Sequence, residues 1–175
     1  MLAVHRAQSG ERSENTLAAK HRVSVTLGDQ GKHAEAEALL REVSEVRREV
    51  LGDNHEDTQR SIGRLGEVLL EQGKLDEAEP CCVEAANWFR QHKGRQDIGS
   101  VARGGVLVEL RRMQGRLAEA EQELGSLVSD ARRGLGPQHV ATLEAEAIAA
   151  RLKHAQPNGQ ASGAAELRAV VEKMG

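Results

Sequence analysis

The chain has 175 residues, with 24 Lys and Arg against 27 Asp and Glu for a net charge of −3, and it is 39% hydrophobic and 29% charged, as a globular chain should be. Aromatic residues make up only 1%, with one Trp, one Phe and no Tyr, so both the stacking rings and the basic excess that hold nucleic acid are missing. No apolar run approaches the roughly 20 residues of a bilayer span, and Met1 to Arg6 contains no apolar core for a secretory signal.

Cys81 and Cys82 are adjacent and are the only cysteines. There is no second pair to build a zinc site and no spaced partner for a structural disulfide. Such usage suits a reducing compartment, so a cytoplasmic location is expected.

An internal repeat organises the chain. Gly31-Lys-His-Ala-Glu-Ala-Glu37 is followed by Gly73-Lys-Leu-Asp-Glu-Ala-Glu79 and Gly115-Arg-Leu-Ala-Glu-Ala-Glu121, in two steps of 42 residues. Gly10, Gly52, Gly94 and Gly136 share that step, as do Thr16, Thr58, Ser100 and Thr142. Three marker sets in one register are the signature of a repeat architecture.

In chain order, residues 1–12 read as the tail of a preceding repeat's second helix, followed by units at 13–54, 55–96, 97–138 and a degraded 139–175. Each unit reads as two helices. The first helices are expected over 14–30, 56–72, 98–114 and 140–156. Ile62, Leu65 and Leu69, at steps of three and four, mark one helical face, and Asn54 to Thr58 offers capping groups and first-turn acids. The second helices are expected over 33–50, 75–92, 117–134 and 161–174, with Ala36, Ala78 and Ala120 in one register where paired helices approach closely. In the fourth unit the turn glycine, Gly159, comes two residues late. A helix pair of this kind cannot bury its apolar stripe alone, so the expected fold is an all-α, right-handed α-solenoid of about four helix–turn–helix repeats.

The Gly-x-x-x-x-Ala-x turn, with Gly66 and Ala78 as small packing residues, resembles the tetratricopeptide repeat (TPR). The 42-residue period, and the linker Arg47 to Thr58 repeated in Leu135 to Thr142, are similar to the kinesin light chain and nephrocystin class. The resemblance implies a protein-binding scaffold. Where that class often carries asparagines on the first helices, this chain has His21 and Arg22, Gly63 and Arg64, then Gly105 and Val106.

Catalytic motifs are lacking. Gly73-Lys74-Leu75 has neither the spacing nor the Ser or Thr of a phosphate loop, His55-Glu56 has no second His, and no Gly-x-Ser-x-Gly elbow occurs. Neither a catalytic nor a metal-binding nor a cofactor-binding residue is therefore assigned. Cys82 falls in the register of Leu40 and Leu124 and reads as a small core residue. His55 and His139, two periods apart, read as turn or capping residues. Of Trp88 and Phe89, one is expected in the core and the other is a candidate exposed anchor. Gly104-Gly105 has no evident packing purpose, so the first helix of the third unit is expected to fray first.

The candidate partner-binding residues lie on the first helices, which would line the concave face: Arg22, Val25, Arg60, Arg64, Glu67, Glu71, Glu109 and Arg112, with Met113, Glu144 and Arg151 beside them. Arg60, Arg64, Glu67 and Glu71 follow one another by four, three and four residues, which puts four charges on one helical face. The leading expectation is a non-catalytic scaffold binding a protein or peptide partner there, with no nucleic acid or membrane involved. The alternatives are a spacer of a longer array that self-associates through uncapped ends, or a regulatory segment of a larger kinesin light chain-like or signalling ATPase protein.

Overall fold

The computed structural model of the chain describes residues 10, 12–154 and 171. Among them are seven α-helices: α1 Glu14–Asp29, α2 His33–Leu51, α3 Glu56–Glu71, α4 Leu75–His92, α5 Ile98–Met113, α6 Leu117–Gly134 and α7 Val140–His154. Each lies within two residues of its expected limits. The expected tail over 1–12, the turn at Gly159 and the last helix over 161–174 lie outside the described residues, save positions 10, 12 and 171.

The helices are cut by glycines. Gly10, Gly31, Gly52, Gly73, Gly94, Gly115 and Gly136 all have φ between 73° and 134°, a left-handed conformation that glycine adopts without the steric cost other residues incur. They recur every 21 residues, one for each helix end, so the 42-residue unit is two half-periods. Lys32 N–H donates to the Leu27 carbonyl at 2.9 Å, Lys74 to Leu69 at 2.9 Å and Arg116 to Arg111 at 2.8 Å, closing three helix ends with the same bond. Starts are equally local. Thr16 Oγ1 donates to the Gly10 carbonyl at 2.9 Å and Thr142 Oγ1 to the Gly136 carbonyl at 2.8 Å, which links two of the four pairs of markers.

The chain divides into two compact units after Ala85. In unit 1, α2 packs against both α1 and α3, around Leu17, Leu40, Val43, Ile62 and Leu69. In unit 2, α6 packs against α5 and α7 around Val101, Val108, Leu124, Leu127 and Leu152. Ala36, Ala78 and Ala120 are fully buried, as their shared register predicts. A Cβ at Gly66 would stand 2.7 Å from Cys82 Sγ, so the missing side chain makes room for a thiol that is 3% exposed.

The expectation that Gly104 and Gly105 serve no packing purpose is overturned. A Cβ at Gly104 would lie 2.6 Å from Leu127 Cδ1, and one at Gly105 would lie 3.2 Å from Ile148 Cδ1. Each glycine admits a side chain from a later helix. Gly125 differs: it is exposed and nothing approaches its Cβ position.

Candidate partner-binding faces of the first helices

In unit 1 the first helices are α1 and α3. The N-cap of α3 is His55, whose Nδ1 accepts from Asp57 N–H at 3.2 Å; His139 does the same for Ala141 at 3.2 Å. Both imidazoles therefore act as caps, as their position in the linker predicts.

Arg22 is exposed and Val25 half-buried on α1. On α3, Arg60 projects outward, 55% exposed, and pairs with Glu56 one turn back at 2.8 Å. Glu71, 44% exposed at the far end, faces His33 Nδ1 at 3.0 Å. Arg64 behaves otherwise. Only 16% exposed, it turns towards α1, where Nη2 donates to Asp29 Oδ1 at 2.9 Å and to the Val25 carbonyl at 3.4 Å, while Nη1 donates to Glu67 at 2.8 Å. Burial works against its charge, but Glu67, Glu71 and Asp29 outweigh that and hold its pKa above the usual value. A Cβ at Gly28 would come within 2.9 Å of the guanidinium, so glycine there opens the crossing. Arg64 and Glu67 are thus a strut between α1 and α3. Of the four-charge stripe, Arg60 and Glu71 face outward.

In unit 2, Glu109 and Arg112 form a bidentate pair on α5 itself, at 2.6 and 2.9 Å. The neighbouring surface differs from that of unit 1. Ile98 is 51% exposed, Val140 58% and Met113 42%. In register, Ile98 and Val140 replace Glu14 and Glu56, and Met113 replaces Asp29 and Glu71. The charged ends of the unit 1 helices are apolar in unit 2. Aligning the four first-helix starts would have revealed this.

The aromatic pair is not split between core and surface as expected. Trp88 is 9% exposed and Phe89 3%, and their rings meet edge to face with centroids 5.1 Å apart. The His92 imidazole stacks on Trp88 at 4.5 Å. One period back, Val46 and Arg47 are half-buried and buried, so both positions belong to the packed side of the second helix. Neither aromatic is an exposed anchor.

Among the described residues, no three His, Cys, Asp or Glu side chains stand together where they could hold a metal ion, and no helix is long and apolar enough to cross a membrane. Residues 15–91 match the family model for the tetratricopeptide repeat. Over that stretch the helix pairs resemble tetratricopeptide repeats. The fold carries across the chain: a Podosopora anserina protein described as a kinesin light chain with nearly identical TPR-like repeats superposes with a TM-score of 0.74 at 19% identity, over 99% of this chain and 83% of that one. A glutamine-to-methionine variant of that protein gives 0.76 at 20% identity, over 99% and 81%. The fold is thus that of an all-α TPR solenoid, a fold that commonly mediates protein–protein interactions. No curated protein matches the sequence.

Proposed function

We propose that the chain is a non-catalytic protein–protein interaction scaffold, divided into repeats at 13–54, 55–96, 97–138 and 139–175, that binds a peptide or protein partner on the concave side formed by its first helices. The reading rests on one observation. In unit 1 the outward groups Arg22 and Arg60, with half-buried Val25 beside them, carry no role in closing the core, whereas Arg64 and Glu67 brace α1 against α3 and Glu71, though exposed, meets His33 of α2. A preformed surface of this kind binds without the ordering cost of a flexible segment. In unit 2 the Glu109–Arg112 pair, flanked by Met113, serves the same purpose. The adjacent cysteines favour a cytoplasmic setting.

The test is affinity capture with the Arg22→Glu, Arg60→Glu double variant, which spares the strut. A partner bound by the natural chain should bind the variant about tenfold more weakly, roughly 1.4 kcal/mol, with helicity unchanged. Glu45→Lys, an exposed change on the second helix α2, should leave binding intact. Equal binding by the double variant would move the site off this face, and recovery of the chain alone would favour the self-associating spacer.

A further inference from the structure

One corner of unit 2 gathers three arginines where its counterpart in unit 1 has one. In unit 1, Arg48 stands between two acids, 2.6 Å from Asp53 and 2.9 Å from Glu84. One period later Arg90 takes the place of Arg48, but Arg95 replaces Asp53, Arg111 replaces Leu69, Glu123 replaces Cys81 and Ser126 replaces Glu84. Over those five positions the formal charge passes from −1 to +2, while Glu119 and Asp130 beside them bring the carboxylates facing the three arginines to three. Packing alone does not require three arginines where the same backbone elsewhere takes one.

The three side chains come from α4, the α4–α5 turn and the end of α5, and they converge on a cleft of about 490 Å³ against α6. Glu123, 11% exposed, accepts from both Arg90 and Arg111. Arg95 Nε donates to Asp130 at 2.8 Å. Glu119 is held by Arg116 of its own helical end at 2.6 Å and stands 3.9 Å from Arg111. Each guanidinium has about five N–H donors, so most donors at the cleft remain available after these bonds. Burial, followed by the repulsion of Arg95 and Arg111, pulls the Arg90 pKa below its usual value.

We propose that this cleft is a phosphate-binding site, with Arg95 and Arg111 gripping a phosphate monoester from two sides and Arg90, positioned by Glu123, supplying the third cation. Planar guanidinium forks match a tetrahedral oxyanion bidentately, through the N–H donors that Glu123 and Asp130 leave unused. The site lies between α4, the end of α5 and α6, and none of the candidate first-helix residues Glu109, Arg112 and Met113 lines it. The phosphate belongs either to a small free ligand or to a phosphorylated side chain of a partner.

The test titrates the full chain at constant ionic strength with inorganic phosphate, a phosphoserine peptide and its unphosphorylated twin, using chloride as the reference and following the arginine Nε–Hε signals by NMR. Phosphate should shift the Arg90, Arg95 and Arg111 signals saturably. Arg111→Leu and Arg95→Asp, which restore the unit 1 residues, should each weaken binding about tenfold or more, as expected for losing a bond to a charged group. Arg48→Leu should change nothing. Tighter binding of the phosphopeptide than of phosphate would assign the ligand to a partner; equal binding would assign it to a free phosphate. If Arg111→Leu disturbs folding by circular dichroism, Arg95→Asp, whose side chain is 57% exposed, carries the test. No saturable shift beyond chloride, unchanged affinity in Arg95→Asp, or equal binding of the two peptides would overturn the proposal.

Discussion

Arg47 and Phe89 occupy the same register position in successive repeats, and the two corners are closed in opposite ways. In unit 1, Arg47 is 4% exposed and donates to the Asp57 carbonyl at 2.8 Å and to Ser61 Oγ at 2.7 Å. Burial depresses its pKa, and Asp57 offsets part of that. In unit 2, Phe89 is 3% exposed and its ring fills the space beside Gly99, where a Cβ would lie 2.6 Å from Cε1. The next corner uses a third solution: Ala131, Ala141 and Ala145, all buried in one cluster. The backbone repeats, but the residues change in sets. Arg with Asp and Ser becomes Phe with Gly, then three alanines. Volume and hydrogen bonding are balanced at the corner, not at each position.

The sharpest way to break the comparison is to empty both corners. Phe89→Ala should cost about 3–5 kcal/mol, the usual cost of deleting a buried ring, and unit 2 should lose protection in hydrogen exchange. Arg47→Met should change stability by less than about 1.5 kcal/mol, because a volume-matched apolar chain removes a buried charge that has only neutral acceptors. A larger loss at Arg47 than at Phe89 would reverse the contrast. Next in size is Gly99→Ala, which should cost about 1–3 kcal/mol by overpacking against the ring, despite alanine's better helix propensity. Combining it with Phe89→Leu should recover part of that loss in thermal melts.

The smallest expected effect separates the units by pH. Glu37, 13% exposed, ties α2 to the turn between α3 and α4, accepting from Lys74 at 2.7 Å, Gln72 at 2.8 Å and Arg41 at 2.9 Å. The Lys74 bond above all, then Gln72 and Arg41, hold its pKa at about 2 instead of 4.5, against the opposing pull of burial. The folded-state pKa is depressed, so this stabilisation is full above pH 4.5 and is lost as pH falls towards about 2. Residue-resolved hydrogen exchange should therefore show α2 and the start of α4 loosening across that window. Glu37→Gln should remove that dependence and cost about 1–2 kcal/mol at neutral pH. An unaltered acid profile in Glu37→Gln would show that other carboxylates govern it.

Most of the fold was legible without coordinates, because the signals are local. The turn glycines, the Thr and Ser of the helix starts and the buried alanine register each act within a few residues, and all seven described helices follow them. The capping roles of His55 and His139 were legible for the same reason. The candidate face was legible only in outline. Spacing correctly places Arg60, Arg64, Glu67 and Glu71 near one side of a helix, but it cannot distinguish a surface charge from a strut. That depends on whether Gly28 and Asp29, some 35 residues earlier, present a gap and a partner. Trp88 and Phe89 were misjudged because a helical wheel has no knowledge of Gly99.

By itself, then, the sequence determined the repeat, its two-helix unit and the helix limits, since these rest on periodicity and short-range hydrogen bonds. Only the tertiary structure decided which glycines are filled from outside, which arginine ties α1 to α3, and which three arginines share one cleft. Those outcomes depend on side chains that are distant in sequence meeting across helices, where close packing leaves room for one arrangement.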